Sequence, residues 1–226
     1  MIVITPRKWS PRGGKSAFTL IEMVTVIAVI VTLLVAGVSL LGGTGAQARR
    51  AGVDLLVGMV EQARTAAITS RSYVVLAVAE PNDLPAGDTR VRLGLFMVEP
   101  DKWPDDPSTG IVSAALMSRW RVFENGVILI PGQVYGLDNP MDGGGELTLA
   151  YGSGSKARTV KVNALVFNPR GGLHHPVGSS PLGMRVAEGG YRAGVPKPNI
   201  RSDSNAISEN RLKIGRVTAR AYRTDG

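Results

Sequence analysis

The 226-residue chain has no cysteine. That excludes disulfide staples, thiolate metal sites, covalent haem attachment and a cysteine nucleophile. Aromatic residues are scarce at 5%, so the core must be built mainly from aliphatic side chains. No acidic residue precedes Glu22, whereas Arg7, Lys8, Arg12 and Lys15 stand in that stretch. Half of the formal net charge of +8 therefore sits in residues 1–17, and the rest of the chain is only weakly basic. Such a balance gives little electrostatic argument for nucleic acid. At 44% hydrophobic and 19% charged, the composition fits neither a disordered chain nor a polytopic membrane protein.

Catalytic spacings are missing as well. There is no GxSxG or HExxH pattern. Gly152-Ser153-Gly154-Ser155-Lys156 lacks the GxxxxGK[ST] spacing of a phosphate loop and reads as a hairpin turn. His174 and His175 are adjacent, a poor arrangement for one metal ion without further ligands, and they read as part of a solvated loop. The expectation is a protein that is not an enzyme and takes no cofactor and no metal.

What the chain does have is a long apolar run, FTLIEMVTVIAVIVTLLVAGVSLL from Phe18 to Leu41, with Glu22 as its single charge. As a helix it would extend roughly 36 Å, enough to cross a bilayer core. The cations before it predict a cytoplasmic amino terminus and an exported carboxyl side. A cleaved secretory signal would have a shorter apolar stretch ending at a small-residue site. A plain membrane anchor accounts for everything except Glu22, since a carboxylate in an apolar segment needs an interface or a positive partner. A free amine created just before Phe18 would supply one.

Ala17-Phe18-Thr19-Leu20-Ile21-Glu22 resembles the cleavage and methylation motif of type IV prepilins and type II secretion pseudopilins, with Ala17 where the family usually has Gly. The resemblance implies several things. A membrane prepilin peptidase/methyltransferase would cut between Ala17 and Phe18 and N-methylate Phe18. Glu22 would pair with the terminal amine of a neighbouring subunit during filament assembly. The partners would be other pilin or pseudopilin subunits, and the location the bacterial inner membrane, with the carboxyl domain periplasmic.

Beyond the apolar run, the glycines of 42–45 predict a bend or local melting. Val53, Leu56, Val57, Val60, Ala63, Ala67 and Ile68 recur at helical spacing and predict an amphipathic continuation over 42–71. The period then changes to two. Strands are expected at 73–79, 90–98, 119–124, 127–130, 146–150, 159–167 and 212–222, with a hairpin turn at Asn125-Gly126. No crossover helix separates them, so the pairing should be antiparallel. Three segments read as loops: 99–110, 132–145 and, longest, the Pro- and Gly-rich 168–210, which composition predicts to be a mobile surface insertion. The expected fold class is α+β and pilin-like: a long N-terminal transmembrane plus amphipathic helix packed on an antiparallel sheet domain spanning 72–226.

Three further segments resemble the GspH/FimT-like minor pseudopilin subgroup: 56–78, with Ala63-Arg64-Thr65-Ala66-Ala67-Ile68; 164–171 (ALVFNPRG); and 212–220 (LKIGRVTAR). The expected function is a minor subunit of a secretion pseudopilus or pilus-like filament. One alternative is a DNA-binding minor pilin for DNA uptake. On a single extended strand Arg216, Arg220 and Tyr222 would share one face, two cations for phosphates and a ring for stacking. The other alternative is a simple membrane-anchored periplasmic protein.

Overall fold

A computed structural model describes residues 20–41, 44–83, 89–104, 107, 110–201 and 204–224. Contacts divide the chain into two units, Met1–Gly43 and Thr44–Gly226. The expected leader over 1–17 and the cut between Ala17 and Phe18 lie outside the described residues, as do 42 and 43 within the expected bend.

In the first unit, α1 (Leu20–Leu41) is built almost wholly from apolar residues. Its threonines do not present free hydroxyls. Thr25 Oγ1 donates to the Ile21 carbonyl at 2.6 Å, and Thr32 Oγ1 donates to the Ala28 carbonyl at 3.0 Å. Back-bonding of this kind satisfies a hydroxyl within its own helix. Among the described residues no helix is long and apolar enough to cross a membrane.

The second unit opens with α2 (Thr44–Ser70). Val53, Leu56, Val60, Ala63 and Ala67 are fully buried, with Met59 beside them, so helical periodicity placed the inner face correctly. Ile68, expected on that face, is 41% exposed where the helix runs out. Arg71 ends the helix in the left-handed region at φ 53, a position more often held by glycine.

Thirteen strands follow: β1 (Tyr73–Ala79), β2 (Arg92–Val98), β3 (Ile111–Ser113), β4 (Ala115–Leu116), β5 (Arg121–Val122), β6 (Val127–Ile130), β7 (Glu146–Tyr151), β8 (Arg158–Phe167), β9 (Leu173–His175), β10 (Leu182–Arg192), β11 (Val195–Pro198), β12 (Glu209–Ile214) and β13 (Ala221–Thr224). They form two sheets.

The first sheet has the order β3-β7-β8-β1-β2-β4, with β5 on β2 and β9 on β8. Its two ends are one stretch of chain. Residues 111–113 pair with β7, residues 115–116 pair with β2, and between them the Ala114 N–H donates to the Ala150 carbonyl. The segment therefore joins both ends and closes the sheet on itself. A ring with an odd number of strands cannot be antiparallel at every step. One pair has to be parallel, and it is β3–β7.

Alternation sorts the side chains of this sheet. Val75, Ala77 and Ala79 of β1 point inward with Val160, Val162, Ala164 and Val166 of β8. Phe96 fills the interior and meets Trp120 and Tyr151 edge-on, at ring-centre distances of 5.5 and 5.1 Å. Val74, Leu76 and Val78 point outward to α2, with Leu165 and Phe167. Strand β1 is thus buried on both faces, which is why its sequence YVVLAVA is apolar without interruption.

The second sheet has the order β11-β10-β12-β13, with β6 on β10. Leu182, Met184 and Val186 of β10 and Leu212 and Ile214 of β12 join the same cluster as the α2 stripe and the outer face of β1. Helix α2 is the common core element of both sheets.

The expected fold is corrected on these points. In place of one long transmembrane helix there are two helices, and none among the described residues can span a membrane. In place of one antiparallel sheet there are two sheets, one closed and containing a parallel pair.

Individual elements change too. The expected loop over 168–210 contains β9, β11 and the longest strand, β10. Its glycines disguised it. A Cβ on Gly183 would lie 2.4 Å from Val134 Cβ, and one on Gly189 would lie 2.3 Å from the Lys197 carbonyl oxygen, so these are places of close approach within a strand. Asn125-Gly126 is a turn but not a hairpin, because β5 pairs with β2 and β6 with β10. The strand expected over 119–124 shrinks to β5. The strand expected over 212–222 breaks into β12 and β13, antiparallel partners around a turn.

Candidate assembly surfaces

Ala17 and Phe18 lie outside the described residues. Glu22 sits in the first turn of α1, where a carboxylate complements the positive end of the helix dipole. It is exposed, and so are its apolar neighbours: Leu20 is 83% and Ile21 71% exposed, and Met23, Val24, Val26, Ile27 and Val29–Val31 are all about half exposed or more. The described part of α1 therefore shows apolar surface all round, with Glu22 its only charge. Surface of that kind is usually covered by a partner or by lipid.

The carboxyl-terminal trio is separated. Arg216 lies in the turn between β12 and β13, and its guanidinium is turned back into the protein. Nε donates to the Ser180 carbonyl at 2.7 Å and Nη1 donates to the Pro176 carbonyl. Burial works against its charge, opposed by Asp138. Arg216 is a strut between two turns rather than a cation offered to solvent. Arg220 and Tyr222 do share a face at the start of β13, both exposed, beside Lys213 of β12. Arg223 points to the other side and binds Asp54 of α2 at 2.9 Å.

The two histidines are not in a loop. His174 is exposed and rests against Tyr73 and Trp103, at ring-centre distances of 5.0 and 5.4 Å. His175 is buried, and neither ring nitrogen has a hydrogen-bond partner. Burial holds its pKa below the usual histidine value. The nearby Gly145 backbone opposes this, while His174 and Arg216 add to the depression. No group of three His, Asp or Glu that could hold a metal occurs among the described residues.

One cluster had no sequence signal. Arg49, which helical spacing assigns to the solvent side of α2, reaches the second sheet. It bonds to Glu188 and Ser208 through Nη1 and donates to Asn210 Oδ1 through Nε at 2.6 Å. The pair is nearly enclosed, at 11% and 20% side-chain exposure. Its partners lie more than a hundred residues along the chain, beyond any local pattern. A second polar contact, Tyr191 Oη donating to Glu80 Oε1 at 3.1 Å, ties β10 to the end of β1. Burial raises the pKa of Glu80 and of nearby Asp83.

No family model, no curated protein and no solved structure matches the chain.

Proposed function

We propose that the chain is a minor pilin or pseudopilin, a structural subunit of a type II secretion pseudopilus or a type IV pilus-like filament. The observation that carries the reading is the Phe18-Thr19-Leu20-Ile21-Glu22 motif running into α1, whose described side chains, apart from Glu22 and two threonines, are apolar and exposed on every side. Packing such helices against one another would bury that surface. It would also bury Glu22, and a buried carboxylate requires a cation. The amine freed by cutting between Ala17 and Phe18 has the right charge, and a neighbouring subunit would bring it close. The partners are then the prepilin peptidase/methyltransferase and other pilin subunits. The location is the bacterial inner membrane, with the amino terminus cytoplasmic and the unit beginning at Thr44 periplasmic.

Mass spectrometry of membrane fractions tests this reading. The expected species begins at N-methyl-Phe18; an intact Met1 terminus with no such species sinks the proposal. The Glu22→Gln variant separates a filament subunit from a simple membrane-anchored protein. It is expected to reach the membrane but to enter filaments poorly, and wild-type incorporation would favour the simple anchor. The DNA-binding alternative has weaker support, since Arg216 is committed to the Pro176 and Ser180 carbonyls.

A further inference from the structure

The two terminal strands of the second sheet differ in a way that bears on binding. Strand β11 is joined to β10 by a two-residue turn, Ala193-Gly194, both with positive φ. The pair flanking such a turn, Arg192 and Val195, is hydrogen-bonded, and bonding alternates from there. Pro196 and Pro198 therefore turn their nitrogens away from β10, and the outer side of β11 has no N–H at either position. An incoming strand finds no donors there.

Strand β13 is built otherwise. The Gly215 N–H donates to the Arg220 carbonyl. The alternation set by that pair turns Tyr222 and Thr224 toward β12 and leaves the N–H and C=O of Ala221 and Arg223 facing outward. Among the described residues no backbone hydrogen bond joins these outward groups to another segment. The edge contains no proline. On the face away from α2, Arg220 and Tyr222 lie along it and Lys213 of β12 lies one strand further in, across from Tyr222; all three are exposed, and Lys213 and Arg220 make no ion pair among the described residues.

We propose that β13 is a docking edge for an extended acidic segment of another protein subunit, which adds to the second sheet as a further strand. Main-chain bonds to Ala221 and Arg223 would hold it. Its alternate side chains would lie beside Arg220 and Tyr222, with the long Lys213 side chain one strand further in, where carboxylates are favoured and cations repelled. A second copy of this chain is a poor occupant, because pairing β13 with β13 would bring the two basic rows together. Basic side chains guard an edge against its own kind, and the same charges select a partner of opposite sign. The inference rests on the geometry of the second sheet and is independent of the amino-terminal motif.

The test uses the full chain in detergent micelles and two synthetic peptides of strand length, about six residues, one alternating valine with glutamate and one alternating valine with lysine. Binding is read by fluorescence anisotropy and by hydrogen exchange at the Ala221 and Arg223 amides. The acidic peptide is expected to bind about tenfold or more tightly than the basic one and to slow exchange at both amides. Ala221→Pro removes an outward donor and is expected to abolish the protection at the Arg223 amide. If that variant fails to fold, Lys213→Glu combined with Arg220→Glu takes its place and is expected to reverse the preference toward the lysine peptide. Three results would overturn the proposal: unprotected Ala221 and Arg223 amides at saturating acidic peptide, an unchanged preference in the charge-reversed variant, or a dimer of the free protein paired through β13.

Discussion

The two sheets of the second unit solve one problem differently. Each must dispose of backbone donors and acceptors at its ends. The first does so by closure: residues 111–116 bond to β7 on one side and β2 on the other, at the cost of one parallel pair. The second stays open, with two prolines along β11 and two exposed cations, Arg220 at the start of β13 and Lys213 on the adjoining β12, at its other end. Closure suits a sheet of small and β-branched residues that can fill a narrow interior. The open sheet contains Gly183, Gly189 and Gly190 in its central strand; the first two let other segments approach closely, and none of the three contributes side-chain packing. On these grounds the first sheet is expected to be the stable body of the unit and the second its adaptable part.

The strongest test of that contrast is at the closed interior. Phe96 is fully buried and meets Trp120 and Tyr151 edge-on. Phe96→Ala is expected to cost about 3–5 kcal/mol, from lost transfer energy plus the cavity left behind. Thermal and denaturant unfolding would measure it. A loss below ~1 kcal/mol would mean that the closed sheet is not the stable body.

A smaller and more local effect is expected at Gly189. An alanine Cβ there would press on the Lys197 carbonyl, a backbone atom with little freedom to yield. Gly189→Ala should cost about 1–3 kcal/mol. Amide exchange should quicken in β10 and β11 while β1 and β8 keep their protection. Equal loosening of both sheets would show that they unfold as one.

The smallest effect concerns pH and the place where the two sheets meet. His175 belongs to β9 on the first sheet, and Arg216, from the β12–β13 turn, bonds to the neighbouring Pro176. Burial keeps the folded-state pKa of His175 below its ordinary value of 6.5. Below that value the unfolded chain takes up the proton while the folded chain does not, so acidification favours unfolding. Stability should decline as pH falls through the region just under 6.5. The His175→Gln variant should flatten that slope, as read from unfolding midpoints across the range. Glu80 and Asp83, whose pKa values burial raises, act in the opposite sense at lower pH. An unchanged slope in the variant would assign the pH response to other groups, His174 first.

Legibility followed locality. Strand β1 and strand β6 could be bounded from composition alone, because their β-branched and aliphatic runs end at polar or turn residues. The buried face of α2 was readable from a spacing of three and four. The interior of β10 also alternates, at Leu182, Met184 and Val186, but three glycines and the prolines beyond them outweighed that signal. The separation of Arg216 from Arg220 and Tyr222 was hidden because a strand and a hairpin look alike when the turn residues, Arg216 to Ala219, include neither Asn-Gly nor proline. Ala219 takes up the left-handed conformation there, at φ 47, without the usual residue to announce it.

The residue order fixed which residues have apolar faces, where period two replaces the helical period, and that a long apolar run with Glu22 as its one charge begins at Phe18. Those properties depend on neighbours within a few positions, where side-chain direction is set by the backbone's own repeat. Tertiary structure alone decided that the first sheet closes, that one pair must be parallel, that Arg49 meets Glu188, and that β13 keeps an open edge. Each of these is a pairing between distant segments. It is chosen by which surfaces remain to be buried and which backbone groups remain to be bonded once the local elements have formed.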